Sequence, residues 1–197
     1  MSLLAGVVGV QGDVSEHRVA FERAGDALGF EVETVAVRDS GTVPDCDVIA
    51  LPGGESTTIS RLLRREGIDD EIREHVEAGK PTLATCAGLI VLDHPDDERV
   101  KSLGVLDVRV ERNAFGGQRE SFEADIAVEG LDEPFHAVFI RAPVVESVGE
   151  DVEVLAEFDG KVVAVRQDNV IGTAFHPELT HDHRLHELLL GGLDKDD

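Results

Sequence analysis

The sequence predicts an α/β fold: a three-layer, doubly wound, mostly parallel sheet with an antiparallel, strand-rich extension. Short Val/Leu-rich runs alternate with helical patterns from residue 3 to 92, and such alternation builds a parallel sheet with helices on both faces. From Gly104 to Phe175 strand patterns succeed one another, with turn residues such as Asp159-Gly160 between them, which is hairpin chemistry. No linker separates the two halves, so residues 1–197 are expected to form a single domain. A chain of 197 residues with 42% hydrophobic content is long enough for a full core and too apolar for disorder.

Residues 3–10 are an apolar run without strict alternation, as in a strand buried on both faces. Gly6, Gly9 and Gly12 do not space as G-x-G-x-x-G, which argues against a dinucleotide site. A helix is expected over 15–29, capped by Ser15, with Val19, Ala20, Ala24 and Leu28 as its inner stripe. Residues 31–37 alternate as a second strand, and 48–51 form a short buried third. Helices follow over 57–65 and 69–78, the second closed by Gly79 and Pro81. Residues 81–92 read as a strand, an elbow and a helix, and 93–101 as a polar loop. Strands then fall at 104–110, 120–128, 135–140, 152–158, 161–166 and 170–175. A final helix runs to about residue 190, with Thr180 as cap and Asp182 in its first turn.

Asp and Glu total 41 against 18 Lys and Arg, a net charge of −23. Such a surface excludes nucleic acid and anionic membrane as partners. No apolar run approaches a membrane span, and the start carries no secretion signal. Two cysteines, Cys46 and Cys86, are too few for a disulfide framework and suit a reducing cytoplasm. An acid-rich, lysine-poor chain without Trp or Tyr has the composition of a cytoplasmic protein from a salt-accumulating halophile. At ~1 M salt the Debye length is only ~3 Å, so its self-repulsion is screened.

The stretch richest in chemistry is Pro81-Thr82-Leu83-Ala84-Thr85-Cys86-Ala87-Gly88-Leu89. Ala84, Ala87 and Gly88 are small, as a sharp strand-to-helix turn requires, and a cysteine at a helix N-terminus is favoured as thiolate. On this segment alone, a nucleophile and a buried core thiol are both open. Pro52-Gly53-Gly54-Glu55-Ser56-Thr57-Thr58 follows the third strand. Its glycines can aim backbone N–H groups at an oxyanion, or form an ordinary loop with Ser56 or Thr57 as helix cap. His176-Pro177-Glu178 closes the last strand. It offers a base and an orienting carboxylate held extended by proline, or a solvated turn. Arg112, in a polar loop over 111–123, and Arg141, after a strand ending at Ile140, suit a carboxylate. In so acidic a chain a surface ion pair is the plainer reading of either. Four histidines within 176–186 invite a metal, but their spacing fits a helix start better, and no metal is expected.

In order, Gly-Gly, Cys and His-Pro-Glu resemble the triad-type (class I) glutamine amidotransferases, a flavodoxin-like fold, although Ala84 stands where that family usually has glycine. Longer motifs narrow the match: Gly9-Val10-Gln11-Gly12 with Glu16-His17, Leu51-Pro52-Gly53-Gly54-Glu55-Ser56, Thr85-Cys86-Ala87-Gly88, Glu111-Arg112-Asn113 with Phe115-Gly116, Phe139-Ile140-Arg141-Ala142-Pro143, and Phe175-His176-Pro177-Glu178. Over nearly the whole chain these look like the glutaminase subunits of pyridoxal 5′-phosphate synthase (PdxT type).

That resemblance implies hydrolysis of L-glutamine to glutamate and ammonia through a Cys thioester, with Cys86, His176 and Glu178 catalytic. It implies glutamine contacts at Gly54, Glu55, Ser56, Arg112, Ile140 and Arg141, which reverses the surface-pair reading of the two arginines. Oxyanion donors would come from Gly53, Gly54 and Ala87. No cofactor is implied, pyridoxal phosphate being the complex's product. The implied partner is a PdxS-type synthase subunit in a hetero-oligomeric complex. The first helix, from Gln11 to His17 and beyond, would lie in that contact, and the glutaminase would be near silent until docked. Two rivals stand beside this: a non-catalytic or stress-linked elbow-cysteine domain, which expects Cys86 without His176 and Glu178 in reach, and a glutaminase serving another synthase.

Overall fold

A computed structural model describes residues 2–12, 14–93, 100–112, 114–115 and 120–193. Most of the expected 93–101 loop, and Asn113 and Gly116 of the Arg112 motif, lie outside the described residues. The elements are β1 (Ser2–Val8), α1 (Ser15–Leu28), β2 (Glu31–Val37), β3 (Val48–Leu51), α2 (Ser56–Glu66), α3 (Ile68–Glu77), β4 (Thr82–Thr85) and α4 (Ala87–Leu92). After them come β5 (Val108–Glu111), β6 (Ser121–Ile126), β7 (Phe135–Ile140), β8 (Val144–Val148), β9 (Glu153–Phe158), β10 (Lys161–Gln167), β11 (Val170–Thr173) and α5 (Arg184–Leu190).

The main sheet runs β2-β1-β3-β4-β11-β10-β8-β5, with β9 paired to β10. Neighbours from β2 to β11 are parallel, and β10, β8, β5 and β9 pair antiparallel. β6 and β7 form a separate antiparallel hairpin. Because strand side chains alternate between faces, each central strand feeds two cores. Val48, Ala50 and Leu83 join Phe21 and Ala24 of α1 and Leu185 and Leu189 of α5 on one side. Ile49, Leu51 and Ala84 join Ile59, Leu63, Ile68, Ile72 and Leu89 of α2, α3 and α4 on the other. This is the three-layer, doubly wound fold the sequence predicts. The β6–β7 hairpin is tied to it by phenylalanines: Phe122 stacks on Phe139 at 4.5 Å, and Phe139 meets Phe175 at 5.5 Å.

Four local expectations need correction. The buried face of α1 is His17, Ala20, Phe21, Ala24 and Gly25, while Val19 and Leu28 are 43% and 38% exposed. The stripe rotates because Gly25 lets the helix settle on Val32, whose side chain a Cβ there would strike, and because Phe21 packs edge-on against His186 of α5. Ser15 does not cap α1; its hydroxyl bonds Glu16, and Val14 precedes the helix. The last helix begins at Arg184, whose N–H donates to Asp182, while the Thr180 hydroxyl closes the preceding turn. Finally, β8 has no counterpart in the sequence reading.

Candidate active site

The cleft opens at the C-terminal edge of the parallel strands, where ligand sites of such sheets gather. Cys86 extends β4 by one bond, its N–H donating to the Thr173 carbonyl at 2.8 Å. It then takes φ 52°, ψ −108°, a strained backbone that costs on the order of 1–3 kcal/mol. The turn closes because Gly88 lies against the β3 backbone, where a Cβ would strike the Leu51 carbonyl oxygen. Ala87 is the first residue of α4, so its N–H is among those a helix leaves without an intrahelical partner. The Cys86 thiol rests 3.8 Å from the Ile140 carbonyl, at the end of β7.

His176 is held at both ends. Its backbone N–H donates to the Val138 carbonyl at 2.9 Å, and its Nδ1 lies 2.7 Å from Glu178 Oε1. The expectation that Pro177 holds the pair extended is incorrect. Pro177–Leu179 form a 3₁₀ turn, which folds the Glu178 carboxylate back under the imidazole. Burial opposes charging of His176, but hydrogen bonds and charges from Cys86 and Glu178 outweigh it and raise its pKa to about 10. Burial likewise pushes the Glu178 carboxyl up, but His17 and His176 beside it hold it well below the usual range. Both shifts favour the imidazolium–carboxylate form of the pair.

Gly53 closes the gap behind them. A Cβ on it would stand 2.6 Å from His176 Cε1 and 3.4 Å from Cys86 Cβ. A cavity of about 530 Å³ opens in front, lined by Gly54, Glu55, Ser56, Cys86, Ala87, Arg112, Ile140, Arg141 and His176. Gly53 and Glu178 stand behind this lining. All eleven residues singled out from the sequence thus meet at one place.

The helix cap differs from expectation. Glu55, not Ser56 or Thr57, caps α2, accepting the N–H groups of Thr57 and Thr58 and the Thr58 hydroxyl. The Thr58 hydroxyl bond above all, with the backbone bonds of Thr58 and Thr57, outweighs slight burial and lowers its carboxyl to about 2. Arg112 Nη2 lies 3.5 Å from the same carboxylate. Ser56 is buried, and its hydroxyl has no partner among the described residues. Arg141 takes φ 43° directly after β7.

Two residues of the segment expected in the partner contact also reach the site itself. Gln11 lines the cleft, its Oε1 accepting the Glu55 N–H at 2.8 Å. His17 is fully buried beneath the site, its Nε2 3.5 Å from Glu178 Oε2 and 3.3 Å from Thr85 Oγ1. The position of Gln11 just past β1, at the same sheet edge as the other loops, was the available signal. His17 shares its helix face with Ala20 and Ala24, and only the correct stripe would have marked it.

This combination of sheet order and cysteine elbow is that of class I glutamine amidotransferases. A crystal structure of a glutamine amidotransferase superposes with a TM-score of 0.84 at 47% identity, covering 96% of this chain and 98% of that one. PurLQS from Thermotoga maritima shares the fold, with a TM-score of 0.65 at 21% identity over 98% of this chain and 100% of that one. Residues 7–194 match the SNO glutamine amidotransferase family, and the chain belongs to it. Among its relatives is the pyridoxal 5′-phosphate synthase subunit PdxT of Halorubrum lacusprofundi, 65% identical over 185 residues (93% of this chain, 94% of the relative). That of Haloarcula marismortui is 65% identical over 189 residues (95% and 96%). Both come from halophilic archaea, the habitat the acid-rich composition predicts.

Proposed function

We propose that this chain is the glutaminase subunit of a pyridoxal 5′-phosphate synthase, releasing ammonia from L-glutamine for pyridoxal phosphate biosynthesis. The family and the relatives at 65% identity support the activity. The observation that carries the chemistry is the 2.7 Å His176–Glu178 pair, which shares the Gly53 gap with Cys86 at a strained elbow.

In this reading the Cys86 thiolate attacks the side-chain carboxamide carbon of glutamine. The C=O electrons move onto oxygen, and the oxyanion is met by N–H groups of the Gly53-Gly54 loop and Ala87; losing one such donor typically costs ~3 kcal/mol of barrier. His176, which has taken the proton of the Cys86 thiol, gives its Nε2 proton to the departing nitrogen, and the C–N bond breaks to release ammonia and leave a thioester. His176 then takes a proton from water, whose oxygen attacks the thioester carbon. Collapse of this second intermediate releases glutamate and restores the thiolate. Glu178 orients the imidazole and stabilises its charged form throughout. Arg112 or Arg141 pairs with the substrate α-carboxylate. Glu55, although it caps α2, keeps enough exposed carboxylate to meet the α-ammonium.

The partner is a synthase subunit that receives the ammonia, and the exposed side of α1 is part of the contact. A glutaminase serving another synthase fits the cleft equally, and the PdxT relatives favour the pyridoxal phosphate branch. The non-catalytic reading requires His176 and Glu178 to lie out of reach of Cys86, and the 2.7 Å pair beside the thiol weighs against it. The test is labelling by a glutamine-analogue diazoketone, read by mass spectrometry. Modification of Cys86, blocked by glutamine, is expected; modification that glutamine does not block would contradict the site.

A further inference from the structure

Beneath the His176–Glu178 pair lies a second pair of histidines that this mechanism does not use. His17 on α1 and His186 on α5 are both fully buried. His17 Nδ1 is 3.2 Å from His186 Nε2, and His17 Nε2 is 3.3 Å from Thr85 Oγ1 and 3.5 Å from Glu178 Oε2. The other oxygen of that carboxylate holds His176. Among the described residues, neither His186 Nδ1 nor Glu178 Oε2 has a hydrogen-bond partner, the 3.5 Å approach of His17 Nε2 being a longer electrostatic contact.

The protons in this chain can be placed by elimination. Burial lowers the pKa of both rings, so each carries a single proton. With the His17 proton on Nδ1, the Nε2 lone pair would face the Glu178 carboxylate. His186 would then accept at Nε2 and bury an N–H at Nδ1 with no acceptor. With the proton on Nε2, His17 donates toward Glu178 and Thr85 and accepts at Nδ1 from His186 Nε2–H. The one ring atom of the two histidines left unpaired is then a lone pair on His186 Nδ1, and a buried lone pair is tolerated better than a buried N–H.

We propose that His17, held in its Nε2–H tautomer by His186, is a positioning residue whose N–H faces the otherwise unpartnered Glu178 Oε2 at 3.5 Å and so steadies the carboxylate that orients His176. This rests on the reading of Cys86, His176 and Glu178 as the triad. Anchored only through Oε1, the carboxylate could rotate about its Cγ–Cδ bond and carry the imidazole with it. A neutral donor prevents this without adding a positive charge beside the His176 imidazolium, as a lysine or arginine would. Helices remote from the cleft mouth thereby set the geometry of its base.

The test is steady-state glutamine hydrolysis by the complex with the synthase subunit. His17→Leu is expected to lower kcat about 10- to 100-fold with KM within about twofold, the loss of one N–H donor facing a buried charged group. His17→Gln, whose carboxamide supplies one donor and one acceptor, is expected to recover most of that loss. A His17→Leu complex with wild-type kcat, or a His17→Gln complex as impaired as His17→Leu, overturns the proposal. Cys86→Ala is assayed alongside: activity retained there sinks the triad itself, whereas an inactive Cys86→Ala beside a fully active His17→Leu sinks only the role of His17. Nitrogen-15 NMR of the imidazoles in the unsubstituted protein decides the matter even if His17→Leu does not fold. Nε2–H tautomers at His17 and His186 are expected, and an Nδ1–H tautomer at His17 refutes the arrangement.

Discussion

Gly53→Ala adds one methyl group at the point where the site has no room. The new carbon would lie 2.6 Å from His176 Cε1, against ~3.5–4.0 Å for ordinary carbon contact, so the imidazole must retreat by about 1 Å. It cannot do so freely. Its Nδ1 is held at 2.7 Å by Glu178, and its backbone N–H at 2.9 Å by the Val138 carbonyl. Gly53 does not occupy the left-handed region, so alanine is acceptable to the backbone itself. A base misplaced by that distance costs on the order of 100-fold in rate. Glutamate release at saturating glutamine, with the synthase subunit present, is expected to fall by that order while the thermal unfolding temperature stays near wild type. Gly53 stands at the cleft, outside both hydrophobic cores, which is why stability is spared. A Gly53→Ala protein with undiminished kcat would refute the placement of His176 as the working base.

Gly88→Ala should be a stability variant instead, because its Cβ meets the Leu51 carbonyl, and neither the β3 nor the α4 backbone can yield. A loss of about 1–3 kcal/mol or more is expected in denaturant titrations, and unfolding like wild type would contradict the close packing of the elbow. Burial lowers the His75 pKa from 6.5 to about 4. The unfolded chain therefore takes up that proton first, and stability falls as pH drops through this interval, by on the order of 3 kcal/mol for this group. His17 and His186, also lowered, act in the same direction. His75→Gln keeps a donor for the Pro81 carbonyl, bonded at 3.3 Å, and cannot titrate. Its stability should decline less over the same pH range, and an unchanged slope would count against His75. With a net charge of −23, dilution from ~1 M to ~0.01 M salt lengthens the Debye length from ~3 to ~30 Å. The unfolding temperature is expected to fall steeply, and indifference to salt would remove the halophilic reading.

Most of the architecture could be read from the sequence because buried strands and amphipathic helices leave strong periods. The second and third strands were legible to the residue. β8 was not, because Pro143 precedes it and Glu146-Ser147 separate Val144-Val145 from Val148, breaking the apolar signal. The α1 stripe misled because hydrophobic scoring favours Val19 and Leu28, whereas packing selected His17, a polar residue with buried partners. Sequence order likewise suggested that Pro177 keeps His176 and Glu178 extended. The 3₁₀ turn that joins their side chains depends on where the β6–β7 hairpin sits, since His176 hangs from the Val138 carbonyl of β7. The eleven site residues were legible through short motifs at strand ends. The support beneath them was not, because α1 and α5 meet there from opposite ends of the chain.

The most direct measurement is ammonia release from L-glutamine by the chain alone, with the synthase subunit, and with Cys86→Ala in the same complex. Release is expected to be strong only in the wild-type complex and abolished by Cys86→Ala. Release by the Cys86→Ala complex at the wild-type rate would contradict nucleophilic catalysis at the elbow.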